Sequence, residues 1–223
     1  MIDILRNAGN VSFFTVVAYL LSTFVVIFIG SPIHEYAHAM VAVKLGDPTP
    51  KNLGRTRLNP IAHIDWVGAL LILLFGFGYA KPVQVNIYNF RKPKRDMALV
   101  ALAGPVSNII MAFVFYAIGS LVLTLSPSLF ETTIGYCVIL FFNYIIQINI
   151  SLAVFNLIPI PPLDGSRLLS ALLSDKNYYK IMQYERYFSI VLLLLIVTGA
   201  LDYPILGIRT AIFNIFDFLV FWN

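Results

Sequence analysis

The sequence has little charge and almost no cysteine. Only 12% of its 223 residues are charged and 59% are hydrophobic, which excludes a water-soluble globular protein and an intrinsically disordered one. The excess of 15 Lys and Arg over 11 Asp and Glu is small and lies between apolar runs, which excludes a nucleic-acid-binding surface. The single cysteine, Cys137, excludes an internal disulfide and a zinc site of several cysteines. Any metal must therefore be bound mainly by histidine and carboxylate side chains.

Long apolar runs predict membrane-spanning helices, since a helix needs about 20 apolar residues to cross the bilayer core. One run is interrupted by Arg209 and Asp217, so it is either a span or an amphipathic helix at the membrane interface. The first run lacks the pattern of a cleavable signal peptide and is expected to stay in the protein. The sequence predicts an all-α polytopic membrane protein with four to five transmembrane helices: 11–29, 97–125, 134–158, 187–201 and, undecided, 205–222.

The apolar segment 67–80 is too short to be another span. A helix of that length reaches about 21 Å, whereas the bilayer core is about 30 Å thick. The segment also contains three glycines, and 83–87 (VQVNI) alternates with the period of a β-strand. We therefore expect a re-entrant element with a β-hairpin between the first and second spans.

Two histidines lie four residues apart in residues 34–38 (HEYAH). On a helix this spacing places both rings on one side, where they can bind one zinc ion, and Glu35 lies beside them. A carboxylate in that place can take a proton from the attacking water and deliver it to a leaving amine. The alternative is a set of polar residues paired only with their neighbours. Because ionisable side chains are costly beside an apolar span, the metal site is favoured.

A catalytic zinc needs a third protein ligand, and the fourth position is left for water. Cys137 lies within a predicted span, so Asp164 is the better candidate. It follows the third span in a proline-rich segment, which is expected to form an irregular wall of a catalytic cavity. A plain turn with an exposed aspartate is the alternative, and from this segment alone it is the stronger interpretation.

Three motifs together resemble the site-2 protease family, zinc metalloproteases that cut other membrane proteins within or near their transmembrane segments. They are the HEYAH helix, residues 103–108 (AGPVSN) and the run 156–165 (NLIPIPPLDG), in that order over most of the chain. The resemblance implies one zinc per chain, bound by His34, His38 and Asp164. It further implies Glu35 as general base, with Asn108 and Asn156 holding the substrate strand or its polarised carbonyl.

Residues 58–65 (LNPIAHID) resemble a segment of small, single-domain members of this family. His63 is therefore a possible accessory residue of the site, the alternative being an interfacial histidine. The chain has no room for a PDZ insert or a CBS pair. We expect a single membrane-embedded metalloprotease domain over 1–223, with a catalytic core of roughly 11–168 and additional helices over 187–223. Regulation would then come from a membrane partner, a homo-oligomer or the substrate.

Membrane topology follows from the metal ligands, because Asp164 reaches His34 only if an even number of spans lies between them. The second and third spans supply two, so 67–80 should not cross. The basic residues of 44–57, 81–95 and 167–186 then share one side, whereas 126–133 has none. The positive-inside rule places the active site toward the cytoplasm of a bacterial or archaeal cell membrane, with the N-terminus outside.

Asn143 and Gln147 lie one turn apart in the third predicted span, and hydrogen bonding between helices is their favoured role. The strand predicted at 83–87 could offer an edge to an unwound substrate, the alternative being an ordinary surface hairpin. The predicted function is a zinc-dependent intramembrane endopeptidase acting on a transmembrane protein in the lipid bilayer. Two alternatives are a proteolytically silent homologue, against which Glu35 argues, and a metal transporter, against which the clustering of ionisable residues at one depth argues.

Overall fold

The computed structural model describes residues 12–75 and 78–221, which form helices and contain no β-strand. Residues 11, 76, 77 and 222 of the predicted segments lie outside this part. Short 3₁₀ turns occupy Ile87–Asn89 and Pro127–Glu131. The helices are α1 (Phe13–Val25), α2 (Ser31–Lys44), α3 (Thr49–Asn52), α4 (Pro60–His63), α5 (Trp66–Phe75), α6 (Pro93–Leu125), α7 (Thr133–Asn156), α8 (Gly165–Leu172), α9 (Asp175–Met182), α10 (Glu185–Val197) and α11 (Asp202–Phe221).

Four helical segments of the described chain are long and apolar enough to cross a membrane: Phe13–Lys44, Pro93–Leu125, Thr133–Asn156 and Tyr203–Val220. The chain is therefore an all-α, multi-pass membrane protein, as predicted. The fourth predicted span is wrong, because the helix formed there, α10, has 13 residues and reaches only about 20 Å. The undecided run after it supplies the fourth candidate span instead.

The predicted re-entrant element with a β-hairpin is replaced by the short helix α5 and, over 78–86, a segment without regular secondary structure. The prediction of a strand at 83–87 is wrong because its backbone groups bond to side chains. The N–H of Val83 donates to Glu35 Oε2 at 3.0 Å, and the N–H of Asn86 donates to Asp47 Oδ2 at 2.8 Å. Alternation in sequence favours a strand, but a strand also needs a neighbouring strand to satisfy these groups.

The first span changes helix type just before the HEYAH motif. Residues Val26–Gly30 form a π-helical turn, in which the N–H of Ser31 donates to the carbonyl of Val26. Pro32 follows it, and a proline has no N–H and collides with the carbonyl four residues earlier in a regular α-helix. The wider turn accommodates the proline ring within a continuous span. The HEYAH motif therefore lies in α2, which continues directly from α1 as one helical segment.

Helix α7 is the centre of the bundle, and most of its second half, from Ile145 to Phe155, is buried. One of its faces packs against α1 through Ile148 and Leu152, and another packs against α6 and α11 through Ile146 and Ile150. Helix α11 runs antiparallel to it. Arg209 of α11 bonds to Gln147 in the second half of α7, whereas Asp217, further along α11, bonds to Tyr116 near the end of α6 that leads into the start of α7.

Candidate metal centre and active site

The three predicted metal ligands meet in the structure. The Nε2 atoms of His34 and His38 lie 3.0 Å apart, and they lie 3.2 and 3.1 Å from Asp164 Oδ2. Both histidines are buried, with 7% and 4% of their surface exposed. Of the described His, Cys, Asp and Glu side chains, these three form the group that can hold a metal ion.

The protonation of His38 shows which atoms are available to a metal. Its Nδ1–H donates to the carbonyl of Val100 at 2.7 Å, so in the neutral ring Nε2 carries a lone pair that faces His34 and Asp164. A lone pair facing a carboxylate oxygen at 3.1 Å is unfavourable unless a cation lies between them. Bond lengths of 2.0–2.1 Å place the ligands of tetrahedral zinc about 3.3 Å apart. The donor set and its spacing therefore fit zinc.

Gly104 makes room for the two histidine rings. A Cβ atom at this position of α6 would lie 2.3 Å from His38 Nε2 and 2.5 Å from His34 Nε2. The α6 backbone consequently closes one side of the metal site. Sequence reasoning counted Gly104 in the AGPVSN motif but missed this role, although a glycine inside a long apolar helix is itself a signal of close packing.

Asp164 reaches the histidines because the chain turns sharply after α7. The turn is tight at Gly165, where a Cβ atom would lie 2.3 Å from the carbonyl oxygen of Leu157. This places Asp164 directly before α8 and against α2. Burial alone would raise the pKa of the Asp164 carboxyl, but when the adjacent His38 and His34 rings are protonated, their charge and hydrogen bonds outweigh it and hold that pKa well below its usual range.

Glu35 is buried next to the three ligands and is oriented by a distant segment. Only 6% of its surface is exposed, and its Oε2 accepts the hydrogen bond from Val83 N–H. The same segment is held further along by Asp47, which is fully buried and also accepts a bond from Asn89 Nδ2. The sequence analysis did not identify Asp47 as an anchor, because residues 46–50 (GDPTP) offer no distinct signal of this role.

A cavity of 580 Å³ opens beside these side chains. Its walls are largely apolar, and α10 contributes Leu192 and Ile196, which lie beyond the segment that the sequence assigned to the catalytic core. Asn108 and Asn156 both line it, as do His34, Glu35 and Asp164. Asn108 is 2% exposed, and its Oδ1 has no hydrogen-bond partner in the described part of the chain. Such an orphan acceptor is costly and is available to a ligand in the cavity.

His63 is placed apart from this site. Its ring is fully buried, and its Nε2–H donates to the carbonyl of Arg57 at 2.9 Å. It belongs neither to the group that can hold a metal nor to the residues lining the cavity. Its own carbonyl accepts from Lys81 N–H at 2.8 Å. His63 therefore joins the two ends of the segment that contains α5.

Known proteins resemble this chain along most of its length. The profile of peptidase family M50 matches residues 128–198. A protein of Bacillus subtilis (strain 168) named "Putative zinc metalloprotease YwhC" is 44% identical over 183 residues, which cover 81% of this chain and 80% of that protein.

Two further relatives carry similar names. "Putative zinc metalloprotease MJ0611" of Methanocaldococcus jannaschii is 31% identical, over 70% of this chain and 72% of its own. "Putative zinc metalloprotease Rip2" of Mycolicibacterium smegmatis is 25% identical, over 76% and 64%. No solved structure matches the chain. The resemblance inferred from the three motifs is confirmed, and the chain belongs to peptidase family M50, the site-2 protease family of zinc metalloproteases.

Proposed function

We propose that the protein is a zinc-dependent endopeptidase that hydrolyses peptide bonds within or next to the transmembrane segments of other membrane proteins. One observation carries the proposal. A carboxylate suited to proton transfer, three metal-binding side chains and two asparagines line or adjoin one cavity beside the membrane-spanning helices. Relatives named as zinc metalloproteases support the same chemistry.

The zinc would be held by His34, His38 and Asp164. A zinc ion in such a site polarises the scissile carbonyl and lowers the pKa of water. Glu35 then acts as the general base, and later passes the proton to the leaving amine. Its Oε2 is engaged by Val83 N–H, while Oε1 forms no hydrogen bond within the described residues. The hydrogen bond from Val83 thus fixes the carboxylate and leaves one oxygen available for the proton.

The two asparagines are suited to holding an extended substrate. A side-chain amide offers both a donor and an acceptor, and an extended peptide backbone offers the complementary pair. The unpartnered Oδ1 of Asn108 can accept a substrate N–H, while its Nδ2 can donate to a carbonyl. Asn156 is half-buried at the end of α7 and can bind the strand from another side of the cavity. Such donors also stabilise negative charge on the carbonyl oxygen during attack.

We further propose that the active site faces the cytoplasm of a bacterial or archaeal cell, with residues 127–131 outside. Helices α6 and α7 supply two crossings between His34 and Asp164, and α5 is not among the candidate spans. The basic residues of 44–57, 81–95 and 167–186 then lie on the same side of the membrane as the metal site, whereas Pro127–Glu131 contains no basic residue. This distribution follows the positive-inside rule.

The test of this function is cleavage of a transmembrane substrate by the purified, zinc-loaded protein in liposomes. A substrate is found by comparing the membrane proteomes of cells that contain the parent protein or Glu35→Gln. A cleavage product that appears only with the parent protein supports the proposal. Zinc binding without any cleaved substrate would favour a silent homologue, and zinc flux across liposomes by both proteins would favour a transporter.

A further inference from the structure

A row of polar side chains lies within the membrane-spanning bundle, outside the cavity. Arg209 of α11 donates through Nη1 to Gln147 Oε1 at 3.1 Å, and Gln147 Nε2 in turn donates to Asn143 Oδ1. Asn143 is exposed, and the other two are half-buried. None of the three lines the cavity beside the metal ligands. The row therefore reaches the outer surface of the bundle and is unused by the proposed proteolysis.

The position of Arg209 is deep along the spans. Its partner Gln147 lies nine residues before the end of α7 and fourteen after its start, or about 13 Å and 21 Å. Exposed apolar side chains surround Arg209 on α11, among them Leu206 and Ile208. Arginine in such surroundings is costly and is normally paired with an acidic group. Within the described residues, however, Arg209 forms no ion pair.

The spans of this chain cannot supply the missing carboxylate. The acids in their described part are Glu35, Asp96 and Asp217. Glu35 is buried at the cavity, and Asp96 pairs with Arg95 at 2.8 Å. Asp217 accepts from Tyr116 and lies two turns, about 12 Å, further along α11. In a parallel dimer equivalent residues of the two copies lie at the same depth in the membrane. Asp217 of a second copy would therefore lie about 12 Å away from the depth of Arg209.

We propose that Arg209, Gln147 and Asn143 form a docking site for a transmembrane helix of another membrane protein. That helix carries an Asp or Glu side chain at the depth of Arg209. Charge complementarity selects this occupant. A lipid phosphate offers the same charge but lies at the membrane surface, whereas Gln147, to which Arg209 donates, is about 13 Å from the nearer end of α7. Asn143, at the exposed end of the row, adds a hydrogen-bonding group for the same helix.

The test uses a model transmembrane peptide of leucine and alanine with one central Glu, and a matched peptide with Gln. Protein labelled at Ser128→Cys, in a Cys137→Ser and Glu35→Gln background that prevents cleavage, is placed in phosphatidylcholine vesicles at pH 8. Energy transfer to dye-labelled peptide measures association. We expect the Glu peptide to bind about three- to twentyfold more tightly, the range typical of polar contacts between membrane helices.

Variants of Arg209 show whether the preference for the Glu peptide depends on the positive charge of this side chain. The preference for Glu should disappear in Arg209→Gln and persist in Arg209→Lys, and Arg209→Glu should instead prefer a peptide with central Lys. Asn214→Ala, at an exposed position of the same helix, should keep the parent preference. Equal binding of the Glu and Gln peptides to the parent protein would overturn the proposal. Loss of the preference on adding anionic lipid would also overturn it, because a phosphate would then be the occupant.

Discussion

The backbone N–H of Val83 donates a hydrogen bond to Glu35 Oε2 at 3.0 Å, across 48 positions of sequence. Three positions later in the same segment, Asn86 N–H bonds to the buried Asp47. Two buried carboxylates thus hold one stretch of chain, residues 83–86, against α2 and the turn that follows it. The orientation of the proposed general base is consequently set by the connection between α5 and α6, and not by its own helix alone.

The first prediction concerns metal content. The purified protein should contain about one zinc per chain, since three protein ligands make a catalytic site. The double variant His34→Ala/His38→Ala should lose it, and Asp164→Ala should retain only part of it, because two ligands bind weakly. Metal analysis of each purified variant measures this. Stoichiometric zinc in the double-histidine variant would contradict the ligand assignment.

The second prediction separates proton transfer from metal binding. Glu35→Gln keeps the size of the side chain and its hydrogen bond with Val83 but cannot take a proton at neutral pH. Zinc should remain, and cleavage of a transmembrane substrate should fall by about 10²–10⁴. Asp164→Asn should lower zinc content and cleavage together. Parent-like cleavage by zinc-loaded Glu35→Gln would show that another group is the base.

The third prediction tests the contact of α6 with the metal site. In Gly104→Ala the added methyl group would lie 2.3 Å from His38 Nε2, so both histidines must move and zinc affinity should fall with activity. Gly207→Ala is the matched control, since its Cβ meets nothing within 4 Å and alanine favours a helix. Zinc titration of both variants measures the effect. Unchanged zinc affinity in Gly104→Ala would contradict the close contact between α6 and the two histidine rings.

The fourth prediction concerns Asp47 and pH. Burial would raise the pKa of its carboxyl, but hydrogen bonds from Thr49, Asn89 and Asn86 outweigh it and lower that pKa. A lowered folded-state pKa means that the stabilisation is complete above the unfolded-state pKa of about 3.9 and is lost as the pH falls through the folded-state value. Asp47→Asn should therefore be less stable than the parent protein at pH 7, by about 1–3 kcal/mol.

Thermal unfolding in detergent at several pH values measures this difference. It should be constant from pH 8 to about pH 5 and shrink below about pH 4. An equal difference at pH 3 and pH 7 would show that the charge of Asp47 is unimportant. Activity at neutral pH should also fall in Asp47→Asn, because the segment that orients Glu35 is released.

The fifth prediction concerns topology. Single cysteines at Ser128 and Tyr88, both exposed, are introduced into Cys137→Ser and treated with a membrane-impermeant thiol reagent. In intact cells only the cysteine at position 128 should react, and in opened cells both should react. Labelling of position 88 from outside would mean that the segment before α6 crosses the membrane, and would contradict the proposed orientation.

The sequence alone determined the membrane class and three of the spans, and it pointed to the three side chains, His34, His38 and Asp164, that meet in the structure. These features are local. Hydrophobicity over about 20 residues decides whether a helix can cross a bilayer, and the spacing of His34 and His38 follows from the geometry of one helix. Asp164 was predicted as a ligand only because its motif accompanies the other two, since a proline-rich turn with an aspartate does not by itself indicate a metal site.

Only the tertiary structure decided the rest, because it depends on which distant segments meet. Whether residues 83–87 pair with a strand or bond to buried carboxylates cannot be read from their alternation. Helix α10 ends at Val197, where the chain turns, so the fourth candidate span is the next helix, α11, and not the predicted residues 187–201. The contact of Gly104 with both histidines and the pairing of Arg209 with Gln147 arise between helices that sequence patterns describe one at a time.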